Sequence, residues 1–298
     1  MRIATSGFYD RATSTMGSLT AKADALQTQV STGKRINAPS DDAGAYRQLT
    51  GIKQAATDQK TDEANIKLAQ SLLDGSDTAL SGVETQLQRV REIAMTASNG
   101  TLSAEQKAAF GTELDAIVED LVRLANTSDA RGQPLFSGSS DAPPYAADVN
   151  GVVQYSGTGE AGAIPIGDGA KVQATTSGTR IFSFEGAAGP TDIFAVVQGL
   201  ATNLRTDGTT GDALKDIDIA SSTVIDARAS IGARGARLDV ETARLADTSV
   251  SREESRSNIE DVDTATAITQ LQKTLTVLQA TQASFSKLTA LSLFDYIR

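Results

Sequence analysis

Both flanks of the chain carry apolar residues at alternating spacings of three and four. The first run lies within residues 12–30, longer runs follow at 66–97 and 110–124, and the last begins at Ile268. An average spacing of 3.5 keeps one apolar stripe on one side of a helix, which is typical of coiled coils. The pattern predicts long helices on both flanks. Their terminal stripes contain Met16, Leu19, Leu26, Val30, Ile268, Leu271, Leu275, Leu278, Phe285 and Leu288.

The first helix is expected to end at Gly33, because glycine suits the left-handed backbone that ends many helices. Ser40 is placed to cap the second helix, with Asp41 and Asp42 at the positive end of its dipole. That second helix is predicted from about 41 to 98.

Further helix ends are indicated in the rest of the chain. Ser103 and Gln106 have the spacing of a capping box and predict the start of a third helix. Thr191 is expected to cap a short helix. Residues 261–263 are expected to interrupt the last long helical stretch.

The middle of the chain differs from both flanks. Residues 132–211 hold five of the six prolines, and short β-like runs within them are separated by Gly-rich turns. We therefore predict a mainly α fold with a small β insert. It would be a long antiparallel coiled-coil rod, with the N- and C-terminal helices paired at one end and the β domain at the other. The expected divisions are 1–42 (N-terminal assembly helix), 43–131 and 191–262 (helical rod), 132–190 (β-rich insert) and 263–298 (C-terminal assembly helix).

The composition removes several classes of function. The chain has no Cys and no His, which excludes thiol and imidazole catalysis, disulfides and Cys/His zinc sites. The G-x-G-x-x-G pattern at 157–162 precedes no helix, so we interpret it as a turn. A net charge of −10 opposes nucleic-acid binding. We expect a protein without catalytic residues, cofactor, metal or nucleic-acid partner.

Two charged segments have simple structural interpretations. Asp41 and Asp42 are interpreted as a helix cap rather than as a metal pair. The segment 250–263, rich in Arg, Glu and Asp, is interpreted as a solvated helix face.

The N-terminal sequence lacks the apolar region of about 7–15 residues that marks a secretory signal peptide. Nor does any stretch approach the ~18 apolar residues that a membrane span needs. These features predict a protein that is cytoplasmic or leaves the cell without a cleaved signal.

The terminal stripes need a partner. Each large apolar side chain that is buried contributes ~1.5–3 kcal/mol, and a single helix cannot bury its own stripe. One interpretation is an intramolecular two-helix coiled coil. The other, which we favour, is that both stripes also meet neighbouring subunits.

Three segments carry a resemblance to a known family. Residues 26–43, LQTQVSTGKRINAPSDDA, resemble the N-terminal signature of the bacterial flagellin superfamily. Residues 124–138 and the tail 291–297 resemble the hook–filament junction branch of that superfamily. The motif positions carried over are Gly33, Arg35, Asn37, Pro39, Ser40, Asp41 and Asp42.

The resemblance implies a structural component of the flagellum between hook and filament, with a short flagellin as the alternative. It implies export through the flagellar type III apparatus, an extracellular location without membrane insertion, and a chaperone at the C-terminal helix. The implied partners in the flagellum are copies of the chain in a ring, the first hook-associated junction protein and flagellin.

Overall fold

The computed structural model describes residues 2–99, 102–206 and 209–294, and the side chains of 7–99, 102–206 and 209–287. In these ranges the chain is mostly helical, with three short antiparallel strand pairs. It divides into two compact units. One contains residues 1–58 and 247–298, and the other contains residues 59–246.

Long helices form on both flanks, as the apolar spacing predicts. The first ends at Gly33, which has a φ of 70°, and the last break falls at 261–263 as expected. The helices are α1 (Arg2–Thr32), α2 (Ala43–Ser98), α3 (Ala104–Ala125), α4 (Thr179–Phe182), α5 (Ile193–Arg205), α6 (Ala213–Glu260) and α7 (Thr264–Phe294).

The predicted capping box of α3 is confirmed, whereas the predicted cap of α5 is wrong. The Ser103 hydroxyl accepts the Gln106 backbone N–H, and the Gln106 side chain accepts the Ser103 N–H. At α5 the cap is Asp192, whose carboxylate accepts the Ala195 N–H at 2.8 Å. Thr191 lies one residue before this cap, where it pairs with Phe184 in a strand.

Unit 59–246 has a continuous hydrophobic core. α3 folds back antiparallel on α2, as its short connection predicts, and Arg89 meets Glu113 at 2.7 Å across the pair. The predicted heptads line this core with nearly inaccessible side chains. They include Leu73, Leu80, Val83, Leu87 and Val90 of α2 and Leu114, Ile117 and Leu121 of α3. The stripe of α6 that completes the core consists of Ile217, Val224, Ile231, Leu238 and Leu245.

α5 packs closely on α3, a contact that the heptads do not predict. A Cβ atom at Gly111 would lie 3.0 Å from the Ala201 carbonyl oxygen, so glycine suits this close crossing. Beside it, Arg205 binds both carboxylate oxygens of Asp115.

The insert forms three separate two-stranded ribbons, not the single small sheet that the β-like runs suggest. One of these β-like runs, RIFSF at residues 180–184, is divided between two elements. Thr179–Phe182 makes one helical turn before a strand begins at Ser183. The ribbons pair β1 (Tyr145–Ala147) with β2 (Val153–Tyr155), β3 (Ile164–Gly167) with β4 (Ala170–Val172), and β5 (Ser183–Gly186) with β6 (Gly189–Asp192).

Aromatic side chains hold the insert together where a continuous sheet does not. The Tyr145 ring lies 5.4 Å from Phe182 and 4.8 Å from Phe194, and Phe136 packs edge-on against Phe182. All four side chains are buried. Aromatic rings contribute a large buried area for few residues, which suits an insert with so little regular structure.

Candidate assembly site: the terminal helix pair and its joint

α1 and α7 pack against each other and form a terminal helix pair. The predicted α1 stripe lies on the less exposed side of α1, since its members are buried or half-buried while all intervening residues except Gln29 are exposed. These members are Ala12, Met16, Leu19, Ala23, Leu26 and Val30. An intramolecular seam therefore exists within one chain.

The members of the predicted α7 stripe differ in exposure. Leu271, Leu278 and Phe285 face the seam, but Ile268 and Leu275 are each 42% exposed. The seam positions between them are Ala267, Thr274 and Thr281. Thr274 and Thr281 are not counted as apolar, so the sequence pattern follows Ile268 and Leu275 beside the seam instead. The side chain of Leu288 lies outside the described residues.

The end of the seam is aromatic. Tyr9 packs edge-on against Phe285 with ring centroids 5.6 Å apart, and Phe8 beside it is 41% exposed. Sequence reasoning included Phe285 but missed Tyr9. Tyr9 precedes Ala12 by three residues, so extending the same heptad toward the N-terminus would have found it.

Residues 33–42, which we call the joint loop, connect α1 to α2. The Gly33 N–H donates to the Gln29 carbonyl at 2.9 Å and ends α1. Asp42 caps α2, because its carboxylate accepts the N–H groups of Gly44 and Ala45 at 2.9 and 3.0 Å. These hydrogen bonds lower the pKa of Asp42.

The prediction that Ser40 caps α2 is therefore wrong by two residues. Ser40 is exposed beside Pro39 in the bend of the joint loop. Asp41 fixes that bend, since its carboxylate accepts the N–H groups of Asn37 and Ala38, both at 2.9 Å. The same two bonds lower the Asp41 pKa. With Asp41 directed back into the loop, Asp42 is left to cap the helix.

The joint loop pairs with the break between α6 and α7. The Arg35 N–H donates to the Glu260 carbonyl at 2.6 Å, and the Val262 N–H donates to the Gly33 carbonyl at 3.0 Å. The Arg35 guanidinium reaches the Ile259 carbonyl at 2.7 Å. Asn37 donates its side-chain N–H to the Lys34 carbonyl at 3.0 Å, within the loop itself.

A single buried carboxylate lies at the centre of this region. Glu260 is 2% exposed and accepts hydrogen bonds from Lys34 at 2.8 Å, Lys53 at 3.0 Å and Arg256. We call these four residues the charged joint. Burial alone would raise the pKa of Glu260, but hydrogen bonds from the three cations outweigh it and lower the pKa to about 2.

The charged joint corrects the interpretation of 250–263 as a solvated face. Glu260 is buried, and Asp263 caps α7 by accepting the N–H groups of Ala265 and Thr266 at 3.0 and 3.2 Å. Glu253 remains largely exposed, as expected. Lys34 and Lys53 lie more than 200 residues from Glu260 in sequence, so no local pattern could reveal the contact.

The site consists of packed helices and a hydrogen-bonded base. Among the described residues, no group of three or more acidic side chains is arranged to hold a metal ion. None of the described helices is long and apolar enough to cross a membrane. What the site offers is a paired helix end with exposed Ile268 and Leu275, fixed at its base by the charged joint.

Two family models match the chain at its two ends. The bacterial flagellin N-terminal helical region matches residues 3–141, and the bacterial flagellin C-terminal helical region matches residues 214–297. The first model covers α1 to α3 with the joint loop, and the second covers α6 and α7.

Relatives along the whole length are flagellar proteins. Flagellar hook-associated protein 3 of Salmonella typhimurium is 26% identical over 100% of both chains. The protein of the same name from Escherichia coli is 26% identical over 90% of both chains.

The fold is also similar to that of a solved structure. A putative flagellar hook-associated protein from Vibrio parahaemolyticus superposes with a TM-score of 0.69, at 19% identity, over 74% of this chain and 100% of that chain. Together the two family models span well over half of the chain. The chain belongs to the bacterial flagellin family, and its likeness extends to the hook-associated branch.

Proposed function

We propose that this protein is a structural subunit of the bacterial flagellum that joins the hook to the filament. The observation that carries the proposal is the correspondence with hook-associated protein 3 along the entire chain, β insert included. The proposed role requires no catalytic group. It requires surfaces that hold copies of the chain in place.

The terminal helix pair has the surface that such a role needs. Ile268, Leu275 and Val277 of α7 are each 42–43% exposed. Burying a large apolar side chain contributes ~1.5–3 kcal/mol, so half-exposed residues retain a substantial part of that energy for a neighbour. The residues proposed for subunit assembly are therefore of two kinds, those in the seam and those at its exposed edge.

The charged joint supports this role by fixing the base of the pair. Three cations on one buried carboxylate hold the joint loop, α2 and the end of α6 in one arrangement. A rigid base would present the exposed edge of α7 in the same direction in every copy. Repeated contacts between identical copies need that uniformity.

The partners we propose are copies of the chain in a ring, the first hook-associated junction protein on one side and flagellin on the other. Before assembly, the C-terminal helix would be held by an export chaperone. The chain would leave the cell through the flagellar type III apparatus without a cleaved signal. The uncovered apolar edge of α7 supports a need for such a holder.

Deletion of the gene tests the proposal against the alternative of a short flagellin. We expect hooks without filaments, with intact flagellin released into the medium, because filament subunits lose their attachment site. Mass spectrometry of sheared wild-type flagella should find this chain at a small fraction of the flagellin amount. If this chain is instead the most abundant filament protein, the junction role is wrong and the flagellin alternative holds.

A further inference from the structure

One face of α6 in unit 59–246 is apolar and uncovered. Ile225 is 50% exposed and Val240 is 70% exposed. Between them Ala229, Gly232 and Ala236 follow at helical spacing on the same side, and all three are exposed. The buried stripe of α6 that faces the core lies on the other side of the helix. This face, which we call the α6 face, is distinct from the terminal helix pair.

Gly232 lies at the centre of the α6 face without a reason inside its own chain. At Gly111 in α3 an added Cβ would approach backbone of α5, so that glycine is explained. At Gly232 an added Cβ would meet nothing within 4 Å, as at Gly235 in the same helix. A glycine at the centre of the face permits another backbone to approach closely.

Two charged residues border the α6 face on one side. Asp226 lies six residues before Gly232 and Arg237 lies five residues after it. Both are exposed, and neither makes an ion pair with any side chain in the part of the chain that the structure describes. The two opposite charges are therefore nearly symmetric about the glycine.

We propose that two copies of the folded chain pair through the α6 face, with the helices antiparallel and crossing at Gly232. A two-fold axis there places Ile225 against Val240 of the second copy, because both lie about 10–12 Å from the crossing at ~1.5 Å per residue. The same axis places Asp226 beside Arg237 of the second copy. Each contact occurs twice.

The second copy is the occupant because the face is its own complement in size and in charge. The pairing of Asp226 with Arg237 offsets part of the repulsion between two copies that each carry a net charge of −10. A two-fold contact closes on itself and yields a dimer rather than a ring or filament. The dimer rests on none of the residues of the proposed assembly role.

Sedimentation of the full-length protein over a concentration series tests the pairing. A single helix crossing is a small interface, so we expect a weak dimer that forms at high protein concentration. Asp226→Arg and Arg237→Asp should each weaken dimerisation about tenfold by placing like charges together. The double variant Asp226→Arg/Arg237→Asp should restore it. Failure of the double variant to restore dimerisation would overturn the two-fold arrangement.

Bulk at the crossing provides an independent test. Gly232→Leu should raise the thermal stability of the monomer, since leucine favours helix, yet abolish dimerisation by keeping the backbones apart. The matched control is Gly199→Leu, an exposed helical glycine of α5 with no neighbour within 4 Å, which should dimerise normally. Leu275→Asp should also dimerise normally, which separates this contact from the terminal helix pair. A chain that stays monomeric at every concentration contradicts the proposal.

Discussion

The core of unit 59–246 and the seam of the terminal helix pair have the same heptad pattern but bury their apolar side chains to different extents. In the core, Leu80, Leu114 and Leu121 are at most 1% exposed and are enclosed by several helices. In the seam, Leu19 and Leu278 remain half-buried, and the buried position between Leu271 and Leu278 is occupied by Thr274. The core satisfies its apolar groups within one chain, whereas the seam leaves part of them uncovered.

This difference teaches that periodicity alone does not distinguish folding from assembly. What distinguishes them is how many helices enclose the stripe and which residues fill its gaps. A stripe enclosed on several sides contributes to the free energy of unfolding of the monomer. A stripe enclosed on one side keeps much of its binding energy for another chain.

Matched leucine truncations should give the largest difference between the two regions. Leu121→Ala leaves a cavity in an enclosed core and should lower the free energy of unfolding by about 3 kcal/mol. Leu19→Ala removes a half-buried side chain and should lower it by less than about 1 kcal/mol. Chemical denaturation followed by circular dichroism measures both. Equal losses at the two positions would show that the seam is a core in its own right.

Acidification should lower the local stability of the charged joint while the core of unit 59–246 stays folded. The folded-state pKa of Glu260 is about 2, below its ordinary value of 4.5. Its charged form therefore stabilises the joint above about pH 4.5, and that stabilisation is lost as the pH falls toward 2. We expect a loss of about 2 kcal/mol. Hydrogen exchange at the Arg35 and Val262 amides, corrected for intrinsic rates, measures it.

Glu260→Gln supplies the control for this pH dependence. The amide keeps the shape of the side chain but cannot ionise, so the local stability should be lower at pH 7. Its fall between pH 5 and 2 should be smaller than in the unmodified chain, because only Asp41 and Asp42 of the joint loop still contribute to it. Glu253→Gln changes a largely exposed carboxylate on the same helix and should leave the joint amides protected. If the local stability of Glu260→Gln falls with pH as much as that of the unmodified chain, the pH dependence belongs to another group.

A fragment of residues 43–262 sharpens the comparison further. It keeps α2 to α6 whole and removes α1 and α7, so we expect a soluble, cooperatively melting fragment that is monomeric at low concentration and whose core stability changes by less than about 1 kcal/mol. It should fail to enter the flagellum. Thermal melting and analytical ultracentrifugation measure the first two properties. A largely unfolded fragment would mean that the terminal helices contribute to folding.

Leu275→Asp should have the smallest effect on the monomer and a complete effect on assembly. The side chain is already 42% exposed, so the free energy of unfolding should change by less than about 0.5 kcal/mol. In the flagellum the carboxylate would be buried against an apolar neighbour, which is costly. Electron microscopy of cells carrying Leu275→Asp should show hooks without filaments. Cells carrying the control variant Leu275→Met should have normal filaments. Normal filaments on Leu275→Asp cells would exclude this edge from the assembly contact.

Much of the fold follows from local chemistry, and the misplaced features have identifiable causes. Gly33 and the pair Ser103 and Gln106 are local signals, so the helix ends that they predict are confirmed. Ser40 and Asp42 both have capping side chains, and the choice between them depends on the bend that Asp41 makes with Asn37. The sequence cannot decide between two competent caps when a third residue sets the path of the chain.

Long-range contacts account for the rest of what the sequence does not reveal. The burial of Glu260 depends on Lys34 and Lys53, which come from distant parts of the chain. The crossing of α3 and α5 depends on Gly111, whose role is visible only once Ala201 lies beside it. In the candidate site, the apolar members could be predicted, but not which of them face inward.

The threonines of the seam have a consequence for the alignment of α1 with α7. The Thr274 and Thr281 hydroxyls each donate at 2.8 Å to a carbonyl one turn back in their own helix, so they make no directional demand on α1. The two threonine positions therefore do not fix the register of α1 along α7 by hydrogen bonding. The register is then set at the base, where the joint loop is bonded to the end of α6. Shortening or lengthening that loop would therefore change the register of α1 along α7.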